Sequence, residues 1–250
     1  MLVLAALYAL WLPAFRIQTV NANDADQRAI DAARQALTGS YAHIIPRNSI
    51  FFLPKEGMRQ AVLNAYPDVA AVSVNRTSFS SIRIATTPRT KAFVWCGTGV
   101  DAPFADGCFD ADAEGLVFEP ADTLETTGTT TEAAPQSGEL RIYAPLDPQL
   151  GEGESPVRHS VTNAAAIPDA LRFVKALRGM GASISALVLR GDEADLWIDG
   201  KTRITYVLGH EQEASQLAAS ALPKLPISDG TIQYIDLRFS GKVYVKKYGE

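Results

Sequence analysis

The chain has 250 residues, 47% hydrophobic and 20% charged, enough for one large or two ordinary domains with their own cores, which excludes a disordered chain. Its formal net charge of -5 offers no general attraction to nucleic acid, whose binding rests on neutralising phosphates with Lys and Arg. The only local basic excess, Lys242, Lys246 and Lys247, reads as a charged, solvated edge that discourages aggregation.

The first fifteen residues, MLVLAALYALWLPAF, carry no charge and are followed at once by Arg16. As a helix rising about 1.5 Å per residue they reach about 22 Å, short of the roughly 30 Å hydrocarbon core. A cleaved secretion signal has a basic start and small residues at its cut, and neither is evident. Residues 1–14 are therefore expected to be the remnant of a single-pass membrane anchor, with Trp11 and Phe15 at the outer interface. The alternative, a buried amphipathic helix, requires a polar face that does not appear.

FRIQTV then alternates like a strand, and Asn23-Asp24 sets a helix cap before a segment with Ile30, Ala33 and Leu37 on one face. Gly39 ends that helix, and Pro54 opens another with Met58, Val62 and Leu63 facing inward, closed by Pro67. VAAVSVNRT and SIRIATTP read as two strands joined by a turn around Ser78 to Ser80. The order is β-α-α-β-β.

Cys96 and Cys108 flank a loop with Gly and Pro between two strand-like stretches, KAFVWC and CFDADAEGLVFE. In an exported chain they would form a disulfide, worth about 2 to 3 kcal/mol in the chain-entropy model; two buried free thiols are the other reading. Residues 122–139 have almost no large apolar side chains and are expected to be a flexible surface loop. The strand ELRIYA and a second loop follow, then a helix, IPDALRFVKALRGMG, whose Leu171, Val174 and Leu177 share a face with Phe173 and Ala170 beside it. ISALVLRG, ADLWIDG and TRITYVLG read as strands, EQEASQLAASALPKL as a helix, and YIDLRF with KVYVKKY as a closing pair. The whole is α+β, with mainly antiparallel strands and helices packed on one side.

The residue types that carry chemistry do not assemble into a motif. His210-Glu211 begins like a zinc-protease helix, but the second ligand position holds Ala214, and His43 and His159 have no partner set. Asp110, Asp112 and Glu114 lack the spacing of a calcium loop and read as a solvated hairpin turn. Two cysteines without a His or Cys pair at ligand spacing make a poor zinc site, so no metal and no cofactor is expected. Trp95 and Trp197 sit in apolar strands and read as core rather than as ligand-stacking rings. Asn75-Arg76-Thr77 matches a glycosylation acceptor, but a plain strand-end turn is the favoured reading.

Several pieces, in this order, carry a resemblance: FRIQTV, NSIFFLP, YPDVAAVSVNR, SIRIATTPRTKAFVW, the D-x-x-G-x-V-F hairpin of CFDADAEGLVFE, and the I-D-L-R of YIDLRFSGKVYVK. The chain resembles the FtsQ/DivIB family of bacterial cell-division proteins, over most of its length. The resemblance implies an N-terminal POTRA domain at 15–88 and a β domain at 89–250. It departs from the family at Thr86-Thr87-Pro88-Arg89, where an acidic-basic pair is usual, and in its cysteine pair and Thr-rich stretch. What it implies is a non-catalytic scaffold of the divisome, single-pass in the inner membrane at the division septum with its main domain extracytoplasmic. FtsB-like and FtsL-like partners would be captured by β-strand addition. The family's pairing strand carries that role to Val243, Tyr244, Val245, Lys246, Lys247 and Tyr248. A POTRA-bearing transport or outer-membrane assembly factor is the leading alternative and would need tandem modules or a barrel. An exported hydrolase is the second, and would need a pocket around His210.

Overall fold

A computed structural model describes residues 8, 10–22, 27–103, 105, 107–121, 140–151, 153–198, 201–227 and 229–249. The helix cap expected at Asn23-Asp24, the surface loop expected at 122–139 and most of the anchor expected at 1–14 lie outside them. The chain divides into two units, Met1–Arg89 and Thr90–Glu250.

The anchor and the localisation drawn from it are corrected. Among the described residues no helix is long and apolar enough to cross a membrane. Pro13 ends the helical stretch here. A residue before proline is pushed out of the helical region, and Leu12 is extended at φ -66° and ψ 140°, after which Pro13–Phe15 makes only one 3-10 turn. The uncharged run is thus broken before its end, and Trp11 and Phe15 are engaged by the protein itself. Trp11 Nε1 donates to Ile44 O at 2.8 Å and the Phe15 ring lies 5.5 Å from that of Phe51.

The first unit is a three-stranded sheet covered by two helices. Thr19–Ala22 (β1) is followed by Gln27–Ala36 (α1), Lys55–Ala65 (α2), Val69–Arg76 (β2) and Ser81–Pro88 (β3). β3 lies in the middle, parallel to β1 and antiparallel to β2. Ala29, Ile30, Ala33 and Leu37 from the first helical segment and Met58 and Val62 from α2 pack on Val72, Val74, Ile82 and Ile84. Leu63 is only half-buried. Buried Val69 and Val72 are three apart, out of phase for a strand, because a bulge at Ala70 re-phases β2 against β3. At the departing corner Arg89 holds backbone, its Nε donating to Pro67 O at 3.2 Å and a guanidinium nitrogen to Val69 O at 3.3 Å.

The second unit is a nine-stranded mixed sheet. Its strands are Phe93–Trp95 (β4), Phe109–Ala111 (β5), Val117–Pro120 (β6), Arg141–Tyr143 (β7), Ile184–Arg190 (β8), Glu193–Ile198 (β9), Thr202–Val207 (β10), Ile232–Asp236 (β11) and Tyr244–Lys247 (β12). The spatial order is β6-β5-β4-β7-β8-β9-β10-β11-β12. β7 is parallel to both its neighbours, and β10 is parallel to β11; the remaining pairs are antiparallel. Ile167–Gly179 (α3) and Glu211–Ala221 (α4) cover one face. α3 buries Ile167, Ala170, Phe173, Val174 and Leu177, whereas Leu171, expected on the inner stripe, is half-buried at its margin. Phe173 packs edge-on against Tyr206 with ring centroids 4.9 Å apart.

Phe173 is buried on all sides, so Phe173→Ala removes transferred surface and leaves a cavity. A loss of about 3 to 5 kcal/mol is expected. Urea unfolding followed by the emission of Trp95 and Trp197, both in this unit, reads it as a lowered midpoint.

Candidate partner-binding edge

An open sheet has two ends, and each leaves a row of backbone N–H and C=O groups unpaired unless something covers it. The end at β6 is covered: Val117 N donates to His159 O at 3.0 Å, and Arg158 N donates to Val117 O at 2.7 Å. Among the described residues, the end at β12 is not. β12 pairs with β11 on one side, in the register Asp236↔Tyr244, Ile235↔Val245, Tyr234↔Lys246 and Ile232↔Lys247, and with no strand on the other among the described residues. Tyr244 is 50% exposed, Val245 37% and Tyr248 55%.

The direction of the free groups follows from the ladder. Tyr248 N donates to Thr231 O at 3.0 Å, and hydrogen-bonded and non-bonded positions alternate along an antiparallel strand. The N–H and C=O of Tyr244 and Lys246 therefore face β11, while those of Val245 and Lys247 face outward. The bulge between Ile232 and Tyr234 lies on the β11 side and leaves this alternation intact. Side chains alternate as well. Val243 packs against the helix-covered core with Val245 and Lys247 on its side, and Tyr244, Lys246 and Tyr248 stand on the opposite face. Val243 and Tyr248 flank the strand, and the Tyr248 hydroxyl donates to Lys201 O at 3.1 Å.

The face away from the helices is held by ions, which spacing along the sequence did not reveal because the partners come from different strands. Asp195 accepts from Thr205 Oγ1 at 2.6 Å and pairs with Arg190 at 2.7 Å. Asp236 accepts from Arg238 Nε at 2.9 Å and from a terminal nitrogen at 2.6 Å, while Arg238 also reaches Glu193 at 2.6 Å. Burial pushes the Asp236 carboxyl up, but the hydrogen bonds from the Arg238 side chain and backbone and the charges of Arg238 and Arg203 outweigh it, leaving it below its ordinary value. The same bonds, to Asp236 and then Glu193, raise the Arg238 guanidinium. This clamp fixes the end of β11 just before the turn that starts β12, where the Phe239 and Tyr244 rings meet at 5.1 Å.

The other singled-out residues are dispersed. Cys96 and Cys108 form a disulfide with sulfurs 2.09 Å apart, tying the end of β4 to the start of β5. Trp95 is buried and its Nε1 donates to Ala144 O at 2.9 Å; Trp197 is half-buried on the opposite face. Asp112 is a turn residue whose carboxylate accepts from Glu114 N at 3.0 Å and Leu116 N at 2.9 Å, beside Gly115 at φ +85°. Asp110 pairs with Lys91 at 2.8 Å. His43, His159 and His210 lie on three separate segments, with His210 Nδ1 exposed 3.8 Å from Glu213. The groove between α3 and α4 is lined by Asp169, Arg172, Phe173, Glu211, Gln212 and Ser215. Among the described residues no three His, Cys, Asp or Glu side chains could hold a metal ion.

A carboxyl held below its unfolded value stabilises the fold above that value, about pH 4, and the stabilisation is lost as pH falls through the folded value. Asp236→Asn removes this titration. Urea midpoints measured from neutral pH down to about pH 3 are expected to fall further for the wild type than for the variant. A disulfide closing this short loop contributes about 2 to 3 kcal/mol. Its reduction by an added thiol should add two hydrogen atoms to the intact mass and lower the unfolding midpoint of the second unit. No family model and no curated protein matches the chain.

Proposed function

We propose that this chain is a non-catalytic scaffold of the bacterial division machinery, akin to the FtsQ/DivIB proteins it resembles, which captures extended segments of FtsB-like and FtsL-like proteins by strand addition at β12. The observation that carries the reading is the contrast between the two ends of one sheet, covered at Val117 and open at Val245 and Lys247. An incoming strand takes the outward N–H and C=O of these two residues into its own ladder, which supplies affinity without reference to sequence. Selection comes from the alternating side chains: Val243 and Val245 beside the core, Tyr244, Lys246 and Tyr248 on the other face. The β-α-α-β-β order of the first unit, with two helices on a sheet whose middle strand is β3, supports reading it as a POTRA-type docking module.

Val245→Pro tests the mechanism at a position whose N–H does not serve β11. The ring removes one outward donor, and capture of an FtsB-like segment is expected to weaken roughly tenfold. Far-UV circular dichroism and the urea midpoint should stay near the wild type. Undiminished pull-down by the proline variant rules out strand addition at this edge.

A further inference from the structure

Three segments meet at one end of the first unit. Trp11 Nε1 donates to Ile44 O, tying residues 8 and 10–16 to the hairpin of Ser40–Tyr41 and Ile45–Pro46. Ile50 N donates to Phe15 O at 2.9 Å, which brings in residues 48–53. Gln18 N donates to Ser80 O at 2.9 Å and Arg76 donates to Ile50 O, so the turn between β2 and β3 closes the same end. Among the described residues, the exposed large apolar side chains of this unit all belong to these segments, Trp11, Ile44, Phe51, Phe52 and Phe79 among them. Phe51 is 55% and Phe52 48% exposed.

Charge follows the same partition. Residues 8–22, 40–53 and 76–81 contain Arg16, Arg47 and Arg76 and not one Asp or Glu. Arg16 lies 5.7 Å over the Trp11 ring and Arg47 5.4 Å over the Tyr41 ring. Residues 1–89 carry nine Lys and Arg against five Asp and Glu, a balance of +4 within a chain of net charge -5, so residues 90–250 hold -9.

We propose that this aromatic and cationic end of the first unit docks onto an anionic lipid surface and lies along it. Rings with an apolar body and a polar edge settle at headgroup depth, and apolar side chains immerse by about 5 to 10 Å. Arginines around them draw the face toward a surface of one sign, and a rim without carboxylates puts nothing in opposition. Large apolar side chains left in water at one end are costly for a monomer, and these have the chemistry of the interface that would cover them. The inference stands on the first unit alone and is independent of strand capture by β12.

The test is partition of the full chain onto vesicles of phosphatidylcholine with phosphatidylglycerol, and onto phosphatidylcholine alone. Sedimentation with the anionic vesicles only, weakened by salt and accompanied by a blue shift of emission that Trp11→Phe removes, is the expected result. Phe51→Ser with Phe52→Ser should weaken partition at least about tenfold. Arg47→Gln should weaken it about fivefold. Arg34→Gln, an exposed charge on α1 outside the patch, should leave it unchanged. Because Phe51 touches Phe15, Phe52→Ser alone serves as the variant least able to disturb the fold. No partition onto either vesicle, an equal loss in Arg34→Gln, or wild-type partition by both serine variants overturns the proposal. So does a dimer in lipid-free solution that the serine variants abolish while vesicles bind nothing, which assigns the patch to a second copy of the chain.

Discussion

One row of side chains runs across the second unit and organises it. Phe109, Trp95, Ile142, Leu187, Leu196, Ile204 and Ile235 are laterally paired from β5 to β11, and every one is buried in the core to which α3 and α4 contribute. Lateral neighbours on one face of a sheet are the unit by which strands stabilise one another, so the row fixes six registers together. A slip of one residue in any strand would turn its member toward the other face. The row does not stop at Ile235: its next member is Val245, which is exposed. The core thus continues in register up to the strand at which the sheet ends.

The position of that end follows from chain connectivity. Parallel neighbours need a crossover, and α4 supplies one between β10 and β11 while completing the cover over the row. The remaining chain then returns as a tight antiparallel partner. On the opposite face a second row, Val188, Asp195, Thr205, Asp236 and Tyr244, exchanges apolar packing for ion pairs and hydrogen bonds toward the same end. Buried carboxylates are costly unless paired, and Asp195 and Asp236 are met by Arg190 and Arg238. The two faces therefore stiffen β11 by different means, one by burial and one by charge.

Local signals were the legible part of the sequence. Gly39, Pro54 and Pro67 punctuate the helices, and the alternation of Ile82 and Ile84 gives β3, so the β-α-α-β-β order could be read directly. What depends on distant partners could not. Arg141–Tyr143 looks like any short strand, and only the fold sets it parallel between β4 and β8. Counting apolar residues in the first fifteen passed over what Pro13 does to the residue before it. Spacing puts Leu171 on the inner stripe of α3, whereas Ile167, at its first turn, is the buried member because the core extends past the helix start. Alternation marks the closing strand, but the inward or outward turn of each amide depends on its ladder with β11.

The bulge opposite Lys246 has a consequence for crowding. Bulges increase the local twist of a strand, and a twisted edge mates poorly with a flat one. Two copies of β12 laid edge to edge would also bring Lys246 and Lys247 of each against the same pair of the other, a repulsive arrangement. Self-templating is thus discouraged twice, by shape and by charge, although the amides of Val245 and Lys247 remain available. The chain can accumulate to high local density without its own open edge seeding fibres.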